Sequence, residues 1–271
     1  MKKGQTIEMY FVDGTADGLV FAELLGWNGK AIKISRKQLK ECKREELQEV
    51  GVYFLFGRDA DDEPFVYIGE AENLRDRLIQ HYRNKELWTT AVAFIGDDLN
   101  KAFVRFLEDR LTKLAREAKR YKVETQNTYS KTKIKENHEI AMEDFIEKIK
   151  ILLPALGYDA LTPLVSQDER NKELLYLKKG DVDAVAKITE EGFVVYAGAK
   201  MNEKLNPKST KTGTKMREKY KDLINETDYS IKEDILFSSS SAAADFLLGY
   251  SASGPANWVN KDGKTIKELD L

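Results

Sequence analysis

Two short runs of aromatic and β-branched residues, Val50-Gly51-Val52-Tyr53-Phe54-Leu55-Phe56-Gly57 and Phe65-Val66-Tyr67-Ile68-Gly69, flank the polar segment Arg58–Pro64. Runs of this composition around a turn-forming stretch read as a β-hairpin. Asn73 follows at once as a helix cap, with Asp76 three residues on. On that helix Leu74, Leu78 and Tyr82 recur at four-residue intervals and form a core stripe. Arg77 and His81, also four apart, share a second, polar face. A strand pair carrying two tyrosines, joined to a helix that shows Arg and His together, has the chemistry to handle a phosphate group.

The rest of the chain bounds what that site can be. The chain has 271 residues, 33% of them charged, and a formal net charge of -2. One cysteine, Cys42, excludes an internal disulfide and a thiolate zinc cluster. Two histidines, His81 and His138, exclude a multi-histidine metal centre within one chain. Any metal is therefore expected to be a hard, oxygen-liganded ion, Mg²⁺ or Mn²⁺. No stretch reads as a signal peptide or reaches transmembrane length, and the expected location is a reducing cytoplasm. Two basic runs stand out: Arg110–Lys135 has nine Lys/Arg against two Glu, and Lys200–Lys221 has eight against two. Each reads either as a solvated helix face or as part of a polyanion-binding surface.

Before the hairpin, Ile7–Val12, Leu19–Leu24 and Lys30–Ile34 read as three strands of a small antiparallel sheet. Ser35 is placed to cap a polar helix holding Cys42, in a segment with no evident chemistry. After the hairpin and its helix, Thr90–Gly96 is a further strand, and Asp97 or Asp98 starts a long helix to about Tyr121. Glu108 lies about 20° beyond the apolar arc of that helix, at the core rim, where it faces a cleft or simply pairs with Arg105 or Arg110. Asn127–Ser130 reads as a loop. An amphipathic helix from Glu139 to Leu153, with Ile140 on its apolar face, ends at Pro154 and connects the two halves. His138 before it reads as exposed.

The last third shows strands at Glu173–Leu177, Ala184–Ile188 and Gly192–Gly198, and a basic helix over Met216–Ile224. A serine-capped helix over Ala242–Leu248 stops at Gly249, and a hairpin has Trp258-Val259 and Ile266 as its arms.

The ordered set Gly51-Val52-Tyr53, Tyr67-Ile68-Gly69, Asn73-Leu74-x-x-Arg77-Leu78-x-x-His81 and Leu107-Glu108 resembles the GIY-YIG nuclease family over residues 50 to about 130. More loosely, stretches such as Ala197–Lys200 and Ser239–Ala244 resemble bacterial proteins that flank this domain with a small N-terminal sheet and an uncharacterised C-terminal domain. The resemblance implies an α+β fold, a three-stranded antiparallel sheet flanked by helices. It also implies metal-assisted hydrolysis of phosphodiester bonds, with DNA as the partner, RNA left open and no membrane role.

By resemblance, Tyr53 is the general base or nucleophile positioner and Tyr67 the second active-site tyrosine. Arg77 holds the scissile phosphate, His81 matches a histidine of some members, and Glu108 ligates Mg²⁺ or Mn²⁺. Asn127 matches a later active-site asparagine across a longer interval than usual. Many members carry lysine after the second tripeptide, where this chain has Glu70, read as a solvated turn residue or as a second carboxylate at the site. The expected organisation is a β-rich segment over 1–48, the nuclease domain over 49–135, a connector helix over 136–157 and an α+β domain over 158–271. A DNA endonuclease is the expected function, and a non-catalytic nucleic-acid-binding or assembly protein on the same fold is the alternative.

Overall fold

A computed structural model of the chain describes residues 4–84, 87–124, 132–166, 168–206 and 211–270. The chain is α+β and divides into two compact units at Pro163/Leu164.

The first unit is built on a seven-stranded sheet. Its strands are β1 (Ile7–Phe11), β2 (Val20–Leu24), β3 (Gly29–Ser35), β4 (Gly51–Arg58), β5 (Pro64–Ala71), β6 (Trp88–Gly96) and β7 (Lys122–Glu124). They lie in the order β1-β2-β3-β6-β4-β5-β7, all antiparallel except the β5/β7 pair. The expected N-terminal strands thus continue the hairpin's own sheet, because β3 pairs with β6 from Gly29↔Gly96 to Ser35↔Thr90. The short parallel strand β7 was not anticipated.

Strand alternation divides the core. Val52, Phe54 and Phe56 face one side, covered by α2 (Lys101–Ala118) and α3 (Glu136–Ala155) through Leu107, Leu111, Phe145, Ile146 and Ile149. Tyr53, Leu55 and Tyr67 face the other, covered by α1 (Leu74–Asn84) through Leu74 and Leu78.

Several boundaries differ from the sequence reading for local reasons. No helix follows Ser35: residues 36–41 run through turns, and only a 3-10 turn forms at Glu45–Gln48. Leu39 and Leu47 are the fully buried anchors there, too few for an amphipathic helix to hold to. The long helix starts at Lys101 because Asn100 caps it, accepting from the N–H groups of Ala102 and Phe103, while Asp98 is bonded to Asn28. It ends where Lys119 turns left-handed at φ 55°. α3 packs within the first unit, Ile140 is exposed on it, and Pro154 sits in its last turn. His138 is half-buried, edge-on to Phe103 at 5.0 Å.

The second unit has a four-stranded antiparallel sheet in the order β11-β10-β9-β8, from β8 (Leu175–Lys179), β9 (Val182–Thr189), β10 (Gly192–Val195) and β11 (Ile235–Phe237). Its helices are α4 (Lys211–Lys219), α5 (Ser240–Leu248), α6 (Gly254–Asn257) and α7 (Ile266–Leu269). The Ser239 side chain caps α5, and Gly249 closes it in the left-handed region at φ 75°. The basic helix begins at Lys211 and gives way to a 3-10 turn at Lys221–Leu223. The expected terminal hairpin is half formed. Val259 bridges to Thr265, but a capping box between Thr265 and Glu268 then starts α7 instead of a second strand.

Candidate active site

The geometry of the site begins with the strand register. Tyr53 lies opposite Gly69 in the β4/β5 pair, and both tyrosines point toward α1. A Cβ on Gly69 would lie 2.4 Å from the Tyr53 Oη and 2.6 Å from its Cζ. Glycine at that position is what lets the phenol lie across the neighbouring strand. Gly51 answers a similar need, since a Cβ there would meet the Phe94 carbonyl oxygen at 2.5 Å.

Helix α1 then brings its polar residues over the phenol. Asn73 fixes its start, accepting from the Asp76 N–H at 3.0 Å. Arg77 Nε donates to Tyr53 Oη at 3.2 Å, and His81 Nε2 lies 2.7 Å from the same oxygen. A guanidinium can only donate, so Tyr53 Oη accepts from Arg77, while His81 Nε2 donates to or accepts from the same oxygen according to its tautomer. The Tyr67 and His81 rings sit 4.9 Å apart, closing the cluster. Tyr53 is 0% exposed and His81 4%, while Arg77 is half-exposed and also holds Gln80 Oε1 at 3.1 Å. Arg77 is therefore the member of the cluster that meets solvent. Burial, reinforced by Tyr67, pushes the Tyr53 phenol far above its ordinary range despite Arg77, so Tyr53 stays protonated at neutral pH.

Glu108 arrives from α2. It is 8% exposed, and among the described residues it has neither a hydrogen bond nor an ion pair. The two arginines expected to pair with it are engaged elsewhere: Arg105 with Glu70 at 3.5 Å, and Arg110 with Glu143. Burial first, then the charges of Glu70 and Asp109, raise the Glu108 carboxyl to about 7, with Arg77 and Arg105 opposing.

Glu70 is the residue the sequence reading undervalued. It lies on β5, not in a turn, and is half-buried beside Arg105 and within the field of Glu108. Period-two alternation carries the signal: Tyr67 and Gly69 face α1, so Ile68 and Glu70 face α2.

The structure thus brings Tyr53, Tyr67, Arg77 and His81 into one cluster. Glu108 stands within Coulombic range of Arg77 but is not bonded to the cluster. Asn127 lies outside the described residues. Among the described residues no group of three or more His, Cys, Asp or Glu side chains is arranged to hold a metal ion. A Mg²⁺ ion needs fewer, since it is commonly held by one or two carboxylates together with waters and substrate phosphate. Glu108, buried and unpaired, with Glu70 beside it, fits that requirement.

Residues 175–270, within the second unit, match a family model described as Domain of unknown function (DUF4357). No curated protein and no solved structure matches the chain.

Proposed function

We propose that this chain is a divalent-metal-dependent endonuclease that hydrolyses phosphodiester bonds in DNA, with its active site on a GIY-YIG-type domain in the first unit. The observation that carries this reading is the convergence of Arg77, Tyr53 and His81 on one phenol oxygen beside an unpaired buried carboxylate, Glu108.

In-line displacement at phosphorus concentrates negative charge on the non-bridging oxygens. Arg77, fixed by Tyr53 and Gln80, presents a bidentate donor to that charge. Tyr53 acts through Arg77 as a positioning residue. As phosphate draws on the guanidinium, the phenol remains neutral and keeps its contact with His81. Glu108 would hold a divalent ion, which when bound would supply Lewis-acid stabilisation and activation of water. Glu70 keeps Arg105 at the rim of the site.

The test is incubation of purified protein with supercoiled plasmid in Mg²⁺, Mn²⁺ or EDTA, beside Glu108→Ala. Metal-dependent nicking lost in the variant is the expected result. DNA binding without cleavage by the wild-type chain would replace this reading with that of a non-catalytic binder.

A further inference from the structure

Several cations of the two basic runs visible in the sequence are engaged within the fold. Arg110 pairs with Glu143, Lys113 with Glu117 and Lys122 with Asp59, and Arg120 donates to the carbonyls of Thr162 and Pro163. In the second run Lys221 pairs with Glu218, and Arg217 is buried. A further group of solvent-facing cations lies along α1, on a segment that the sequence left without a role.

Residues 36–44 carry Arg36, Lys37, Lys40, Lys43 and Arg44 against one acid, Glu41, a formal +4 within a chain of -2. This loop is strapped along α1. Arg36 Nη2 donates to the Tyr82 carbonyl at 2.8 Å near one end, and the Leu74 N–H donates to Glu49 O at 3.2 Å at the other. Between them the Arg75 guanidinium bonds the carbonyls of Lys40 and Cys42. Leu39 and Leu47 are fully buried beneath the strap. Lys37, Lys40 and Lys43 are exposed, and among the described residues none is ion-paired. Lys40 lies over the Tyr82 ring at 4.4 Å. Glu45, Glu46 and Glu49 end the basic patch.

We infer that this strapped loop is a backbone-binding platform for the DNA duplex, with Lys37, Lys40 and Lys43 contacting phosphates while Arg77 holds the phosphate to be cleaved. The inference rests on the nuclease reading and adds the surface along which the substrate lies. Arg75 and Arg77 occupy opposite flanks of α1, so platform and site are separated by about one helix diameter, ~10 Å. Duplex grooves are about 6 to 12 Å wide, so phosphates on either side of a groove can meet both. Because the loop is held at both ends and in the middle, the backbone that carries these lysines is positioned before binding, and only their side chains remain to be ordered.

The experiment is anisotropy titration of a short labelled DNA duplex in EDTA, over roughly 50 to 200 mM salt, with wild type and the triple variant Lys37→Gln/Lys40→Gln/Lys43→Gln. Each released phosphate contact lowers the salt slope by about 0.9. The triple variant is therefore expected to bind about tenfold more weakly at low salt, with the slope reduced by about two to three. The charge-retaining variant Lys37→Arg/Lys40→Arg/Lys43→Arg keeps wild-type binding, which separates charge loss from misfolding. Lys148→Gln/Lys150→Gln on α3 is the control for general charge. Equal affinity and slope in the triple variant and wild type overturn the inference even where plasmid nicking stands. No duplex binding by wild type also overturns it, and the nicking assay then decides the nuclease reading on its own.

Discussion

Arg77 and His81, one turn apart on α1, meet on the same atom, the Oη of Tyr53, at 3.2 and 2.7 Å. Removing the hydroxyl should disturb both partners at once. Tyr53→Phe leaves Arg77 Nε and His81 Nε2 facing a buried apolar ring, at a cost of about 1–3 kcal/mol. A denaturant melt should show that loss, and cleavage should fall through kcat more than KM, because the guanidinium is no longer fixed.

Arg77→Lys keeps the charge and loses the planar fork, so its cleavage rate should fall nearly as far as that of Arg77→Ala, by about 10²- to 10³-fold. Near-wild-type plasmid nicking by the lysine variant would show that Arg77 acts as a point charge rather than as a bidentate clamp.

Glu108 gives a prediction whose sign depends on pH. Its carboxyl in the folded chain titrates at about 7, above its ordinary range. The folded state therefore binds a proton that the unfolded state has released, and stability falls as pH rises from the ordinary carboxylate range through about 7. Glu108→Gln should raise stability by about 1–2 kcal/mol at ~pH 8, after discounting for solvent access, and by little at ~pH 4. The same variant should abolish metal-dependent nicking. In wild type, nicking should rise as pH climbs through about 7, where the carboxylate becomes available to a cation. Thermal melts and rate profiles across pH check both halves.

Gly69→Ala puts a methyl group 2.4 Å from the Tyr53 Oη. The ring must leave the position in which it meets Arg77 and His81, so activity should drop at least as far as in Tyr53→Phe. Gly69→Ala activity above that of Tyr53→Phe would show that the phenol can be accommodated elsewhere.

In the second unit, Arg217 is buried with no carboxylate partner among the described residues, and it donates to the carbonyls of Glu203, Phe246 and Leu247. Burial pulls its guanidinium down to about 10. Arg217→Met should destabilise this unit by about 2–4 kcal/mol, since it strands those carbonyls. Plasmid nicking at low temperature should be unchanged. Domain-resolved hydrogen exchange would locate the loss.

What could be read from the sequence divides along local and non-local lines. Tyr53, Tyr67, Arg77 and His81 converge through periods of two and four residues that any strand and helix impose, so their grouping was legible before any coordinates. The isolation of Glu108 was not, because it depends on Arg105 and Arg110 choosing Glu70 and Glu143, partners 35 and 33 residues away. Nor was the course of residues 36–48, where an expected helix gives way to a loop held by side chains of α1. The joining of β3 to β6 escaped the sequence for the same reason, since register across a long chain separation leaves no short-range pattern.

That last pairing sets a timetable for the nascent chain. Residues of β3 pair with β2 at once, but they find their second hydrogen-bonding partner only after β6 has left the ribosome. That is about sixty residues later, roughly 3 to 12 s at ordinary synthesis rates. During that interval the β2/β3 ribbon, with Ala31, Ile32 and Ile34 destined for full burial, has an open edge. The two parts of the sheet are joined only when β6 inserts between β3 and β4, and a fragment ending before Trp88 should expose both edges and aggregate.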